Sequence, residues 1–147
     1  MGVIPYQVFL AVLGLYFARL ENREELVIGV PCLNRGGKRY KNTLGMFASV
    51  LPLRIRIAAG LTSRELISAI ASELRDVYRR QRFPLSEIGR SLKMLEQGRD
   101  RLFDVVFSFE KNDFQIGWGE MTGCEARQIF SGVARYPLVA TVCEFEP

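Results

Sequence analysis

A chain of 147 residues, 48% hydrophobic and 24% charged with a net charge of +4, has the balance of a globular domain with one sizeable core. It contains no histidine, which removes the usual general base near neutral pH and the commonest metal ligand. Ser-His-Asp, Cys-His and histidine–zinc chemistry are thereby excluded for this chain alone; no lysine or carboxylate is paired with a convincing nucleophile, so no catalytic residue and no metal site is assigned.

The first segment, IPYQVFLAVLGLYFARLEN (residues 4–22), reads as a helix with Pro5 in its first turn, where a missing amide is tolerated. It is apolar almost all round, which predicts burial between a sheet and a further layer. Its apolar run, VFLAVLGLYFA, is too short for a bilayer span of about 20 residues, and it lacks the basic leader and cleavage site of a signal peptide. The expectation is a cytoplasmic protein without membrane contact. ELVIGVPCLN (25–34) follows as an interior strand, apolar enough to be covered on both faces, with Pro31 marking where pairing ends.

RGGKRYKNTLG is a loop. Its GGK is not a phosphate loop, because Cys32 stands where the Walker pattern needs glycine and Arg39 where it needs serine or threonine. The next strand places Leu51, Leu53, Ile55 and Ile57 on one face and Arg54 and Arg56 on the other. A helix over 63–80 is the clearest element: Thr62 and Glu65 have capping-box spacing, and Leu66, Ile67, Ile70, Leu74, Val77 and Tyr78 form a stripe. A second helix restarts at Pro84, with Leu85, Ile88, Leu92 and Leu95 on one side. LFDVVFSFE then reads as a strand with Phe103, Val105, Phe107 and Phe109 on one face, and residues 136–146 as a last strand. Between them, 111–135 is punctuated by glycine, with at most one short strand near EARQIF. Cys32, Cys124 and Cys143 are odd in number, without CxxC spacing, and read as reduced thiols.

The order helix, strand, strand, helix, helix, strand, strand predicts an α+β domain over residues 1–147, a mixed sheet with helices packed on it. The chain stops just past a strand pattern, at Glu146-Pro147, so a piece of something larger is expected. Charge is uneven: residues 35–56 hold six basic side chains and no acidic one, and 75–101 hold eight against four. Such clusters are either solvated faces or surfaces for anionic partners.

Four segments in order form a pattern. PYQVFLAVLGLYFARLENREELVIGVPCLNR with GMFASVLPLRI, then RRQRFPLSEI, GRDRLFDVVFSFE and ARYPLVATVCEFE, resemble the C-terminal half of a condensation domain from a nonribosomal peptide synthetase. RRQRFPLSEI is similar to that family's HQDYPFE-like motif, though Arg80, Arg82 and Leu85 depart from it. GRDRLFDVVFSFE is similar to its RNPLFDVMFSFQ-like motif. The resemblance implies one half of a two-lobed, chloramphenicol acetyltransferase-like fold, in which donor and acceptor thioesters on phosphopantetheine arms enter a tunnel from opposite ends. The family's HHxxxDG motif belongs to the other, N-terminal lobe, which this sequence lacks; some of the C-terminal end is also expected to be missing. This half is then a non-catalytic lobe of an amide-forming acyltransferase, inactive alone, and its motifs are shared with ester-forming, epimerising and starter-type relatives.

The resemblance makes Gly45, Ser49 and Arg54 tunnel-wall candidates. Ala48, Ser49 and Val50 replace the family's Val-Asn-Thr, which weakens the transfer of a role to Ser49; that serine also reads as a residue ending a turn. Arg54 reads either as a charge paired with a carboxylate of the absent lobe or as a solvent-facing sheet arginine. Arg79, Arg80 and Arg82 are candidates for docking acidic carrier proteins and the phosphate of their arms, or else a solvated helix end. No cofactor is expected to bind directly. The expected partners are the N-terminal lobe, peptidyl or acyl carrier proteins and, through an exposed lobe interface, further copies of this chain. The alternative is a stand-alone basic module for nucleic acid or an acidic protein; against nucleic acid, no RNP, KH or helix-turn-helix pattern occurs.

Overall fold

Helix α1 spans Pro5–Glu21, starting on the proline its first turn tolerates. It ends where Asn22 turns left-handed (φ 52°) and the Arg23 N–H returns to the Ala18 carbonyl at 2.9 Å. Strands β1 (Glu25–Cys32) and β2 (Ser49–Arg56) then pair antiparallel, from Glu25 opposite Arg56 to Cys32 opposite Ser49. Helix α2 (Ser63–Arg79) opens on the predicted capping box, with the Thr62 N–H donating to the Glu65 carboxylate at 2.9 Å and the Glu65 N–H to Thr62 Oγ1 at 3.3 Å. Helix α3 (Leu85–Ser91), a 3-10 turn (Leu95–Gln97), β3 (Val105–Asn112) and β4 (Leu138–Phe145) complete the order. The computed structural model describes residues 4–37, 40, 42–112 and 132–145. Cys124 and the short strand expected near residues 125–130 lie outside them.

The four strands form one mixed sheet in the order β2-β1-β3-β4. β1 runs parallel to β3 at Gly29 opposite Val106, and β3 parallel to β4 from Val105 opposite Leu138 to Asn112 opposite Phe145. Helices α1 and α2 pack against each other and on one face of the sheet. Between them and the sheet lies the core: Leu10 and Ala11 of α1, Leu66, Ile70 and Leu74 of α2, Ile28 and Val30 of β1, Leu51, Leu53 and Ile55 of β2, and Phe107 of β3. The predicted stripe of α2 is therefore its buried face, with Ile67, Val77 and Tyr78 half-buried at its margins. Small residues let α1 approach: a Cβ on Gly14 would come within 3.3 Å of the Ile55 methyl groups.

Several expectations are corrected. α1 buries one face only, through Leu10, Ala11, Gly14 and Ala18. Val12, Tyr16 and Leu20 on its other side are 60–65% exposed, so no described residue supplies the further layer. Pro31 does not end pairing, because the ladder to β2 continues to Cys32 and Ser49. α3 stops at Ser91, so Leu92 and Leu95 are exposed and Met94 is the residue of that stretch that turns inward. Phe103 does not share a face with Phe107. It precedes β3 and covers Gly29 from the side away from α1 and α2, where it stacks on Tyr136 at 5.4 Å. Phe107 and Phe109 instead meet Tyr6 and Phe9 of α1, with Tyr6 stacked on Phe107 at 5.5 Å.

Gly29 is a position where only glycine fits, since a Cβ there would lie 2.3 Å from a ring carbon of Phe103. Gly29→Ala is expected to destabilise the fold by about 1–3 kcal/mol in urea unfolding, as overpacking does. In a Phe103→Leu background the added cost of Gly29→Ala should shrink; an equal cost in both backgrounds would refute the contact.

Burial, then the hydrogen bond to Tyr78, push the Tyr6 phenol far above its ordinary value, and burial raises Tyr78 as well. The neutral phenols are thus favoured by the fold. Their contribution is complete below the unfolded value of about 10 and is lost as pH rises beyond it. Stability should fall with alkaline pH above about 10, and Tyr6→Phe should flatten that fall; an unchanged slope would contradict this.

Candidate functional site

In the loop between β1 and β2 one side chain meets several backbone acceptors. The Arg35 guanidinium donates to the carbonyls of Tyr40 (2.7 Å), Thr43 (2.6 Å) and Gly45 (2.8 Å). It also lies over the Phe47 ring, 4.5 Å from the centroid, and Tyr40 leans on the same ring at 5.9 Å. Gly45 has a φ of 140°, in the region that side chains disfavour. On either side of it, Leu44 and Met46 are 99% and 95% exposed, presenting apolar side chains outward from the end of the edge strand.

Ser49 opens β2 beside this loop, and its register partner Cys32 belongs to the core. With a period of two, Ser49 shares with Leu51 the face of β2 turned to α1 and α2, while Arg54 stands on the other face opposite Val27. Gly45 and Ser49 are thus near each other along the chain, but Ser49 and Arg54 lie on opposite faces of one strand. Arg54 is exposed and, among the described residues, makes no ion pair; its neighbour Arg56 pairs with Glu25 at 2.9 Å, a contact that raises the Arg56 guanidinium.

Arg79, Arg80 and Arg82 sit where α2 gives way to α3, in three different settings. Arg79 pairs with Asp76 at 3.2 Å. Arg80 caps α2 through its backbone N–H and faces a groove of about 300 Å³ floored by Leu51, Pro52, Val77 and Ile88, with Glu73, Asp76 and the exposed Phe83 at its margin. Arg82 reaches back to donate to the Gly36 carbonyl at 3.3 Å. That bond joins the arginine cluster to the loop held by Arg35, so the two groups of candidates adjoin.

Two features escaped the sequence reading. One is Arg35 itself; the signal was an arginine in a stretch without a single acid, which must satisfy its donors on carbonyls or water. The other is a larger cavity of about 680 Å³ between α3, the 3-10 turn and Phe103–Tyr136, with Arg90, Lys93, Arg99, Arg101 and Arg135 around it. Arg101 donates to Asp100 at 2.6 and 3.0 Å and holds that carboxyl below its usual range. Among the described residues no cluster of Cys, Asp or Glu could hold a metal ion, and no helix is long and apolar enough to cross a membrane.

The segments that carry this geometry are contiguous motifs: GMFASVLPLR forms the loop and edge strand, RRQRFPLSEI the α2–α3 junction, GRDRLFDVVFSFE the entry into β3. A family model for the condensation domain matches residues 1–145. The chain belongs to the condensation-domain family. A dimodular nonribosomal peptide synthase of Bacillus subtilis (strain 168) is 28% identical over 118 residues, which cover 80% of this chain and 5% of that protein. Tyrocidine synthase 3 of Brevibacillus parabrevis is 23% identical over 145 residues, 97% of this chain and 2% of that protein. Among solved structures, the starter condensation domain of rhizomide synthetase superposes with a TM-score of 0.62 at 28% identity, over 74% of this chain and 25% of that one. The first condensation domain of the calcium-dependent antibiotic synthetase, at 20% identity and a TM-score of 0.62, shares the fold over 71% of this chain and 22% of its own. The condensation-domain chain described here therefore spans about a quarter of the solved domains it matches.

Proposed function

We propose that this chain is the C-terminal lobe of a nonribosomal peptide synthetase condensation domain, working in the cytoplasm with an N-terminal lobe that carries the HHxxxDG motif. The observation that carries the reading is the placement of the GMFASVLPLR segment: a shaped loop at the open end of the edge strand, with Leu44 and Met46 turned outward. Apolar side chains so exposed suit a surface that meets another body.

In the assembled domain the acceptor amine attacks the donor thioester carbonyl. A C–N bond forms, the C–S bond breaks, and the amine proton passes to the departing thiolate, leaving an amide on the acceptor arm and a thiol on the donor arm. Both phosphopantetheine arms arrive on carrier proteins and belong to the substrates. This lobe holds no histidine, so its part is positioning. Gly45 and Ser49 wall the passage at the β2 edge, while Arg54, on the other face, meets a carboxylate of the second lobe. Arg79, Arg80 and Arg82 offer cations to acidic carriers and to the arm's phosphate, a contact that steers encounter more than it adds affinity.

The isolated 147 residues should form no detectable peptide from donor- and acceptor-loaded carriers, read by mass spectrometry. Adding the N-terminal lobe, covalently or in trans, should restore turnover, and mutating the second histidine of that lobe's motif should remove most of it. Amide formation by the chain alone would sink this division of roles. Salt-dependent binding to DNA or RNA with no affinity for carriers would favour the stand-alone module instead.

The uncovered face of α1, with Val12, Tyr16 and Leu20 largely exposed, suggests that the chain alone associates with itself. Sedimentation should show concentration-dependent oligomers, and Val12→Glu with Leu20→Glu should shift them toward monomer. A wild-type chain that is monomeric at millimolar concentration would contradict this.

A further inference from the structure

We propose that Arg35 is the positioning residue that shapes the Gly45–Ser49 segment for its place in the substrate passage, acting through three backbone carbonyls and the Phe47 ring. The inference rests on the reading that this segment lines the passage.

Residues 33–48 separate the two strands, a long connection for a compact domain. Among its described residues, Leu33, Leu44 and Met46 are all at least 74% exposed and do not anchor it by burial. What converges on its centre is one guanidinium. Nη1 donates to Tyr40 and Thr43, Nη2 donates to Gly45, and Cζ lies over the Phe47 ring, 4.5 Å from its centroid. A guanidinium presents its donors in a rigid planar fork, whereas an ammonium is a compact point charge on a flexible stem. The Gly45 carbonyl is held directly, which fixes the peptide plane at the left-handed residue that turns the chain toward Ser49. Arg82, through the Gly36 carbonyl next to Arg35, braces the same loop from the α2–α3 junction.

The test uses Arg35→Lys and Arg35→Ala, first in this chain and then in the domain completed with the N-terminal lobe. In the chain, amides of residues 42–48 should exchange at least tenfold faster in both variants, while those of residues 66–74 in α2 keep their wild-type rates. In the completed domain, kcat should fall about ten- to a hundredfold, the scale of a displacement near 1 Å, with KM for either loaded carrier changed less than about twofold. Lysine should not rescue, and added guanidinium should recover part of the rate of the alanine variant. Unchanged exchange in residues 42–48, full activity with lysine, or a loss confined to KM would each overturn the proposal. If alanine unfolds the chain, the lysine variant carries the test. If the wild-type completed domain makes no peptide, the passage reading has failed, and the exchange rates still decide whether Arg35 holds the loop.

Discussion

The register between β1 and β2 is the constraint on which the rest depends. Ile28 and Val30 face the helices, and the ladder places Leu53 and Leu51 opposite them, so Ile55 follows to the same side. A slip of one residue would turn Arg54 and Arg56 into that core and expose the leucines. Burying two guanidiniums without carboxylates would cost several kcal/mol each. The alternation therefore locks the pairing, and with it the height at which Ser49 begins β2 and the point from which the Gly45 loop departs. The loop's position follows from apolar burial some distance away. Its internal shape does not, and there Arg35 takes over.

The two faces of the sheet are finished differently. On the helix side, Gly14 and Ala18 let α1 come close, and Tyr6 and Phe9 fill the space over Phe107 and Phe109. On the other side the Phe103 ring covers the centre over Gly29, and Arg54 and Thr141 are exposed. β2 is an edge strand, and Pro52, which has no N–H to offer a further neighbour, sits within it. That edge is thus poorly suited to growth of the sheet. In the proposed assembly, contact at this end of the molecule falls to side chains of the loop, Leu44 and Met46 foremost, and to the α2–α3 junction beside it.

What the sequence made legible were the features carried by short periods. The capping box at Thr62 and Glu65, the stripe of α2, the alternation of β2 and the order of elements are local patterns, and each stands where expected. The errors share another origin. α1 looked apolar all round because hydropathy does not say how many layers are present to cover a helix. Phe103 was placed with Phe107 by counting in twos, but the chain enters β3 only at Val105, and the count does not carry back across the bend. The spacing of Leu92 and Leu95 predicts a continuing helix face, whereas Lys93 turns left-handed (φ 51°) and breaks the periodicity. Of the candidate site, the family motif marked Gly45 and Ser49, and parity alone implied that Ser49 and Arg54 diverge. Arg35 is only faintly legible: the absence of acids from 35–56 sends its donors to carbonyls or water, but residue type does not say which carbonyls.

The basic charge itself divides into two kinds of use. Arg79 with Asp76 and Arg56 with Glu25 form exposed pairs, and pairs of this sort contribute little, about 0–1 kcal/mol. Each partner can be re-solvated when the pair opens, so Arg79 can exchange Asp76 for an external anion at small cost. Arg35 is in the opposite position. Moving its guanidinium would give up three hydrogen bonds to carbonyls and its place over the Phe47 ring at once. An arginine bound by carboxylates at the surface remains available to a partner, whereas one bound by several neutral acceptors is committed to the chain. On that criterion the charge cluster at the α2–α3 junction is the exchangeable surface, with Arg82 tied by a single long bond, and the loop at Gly45 is the fixed one.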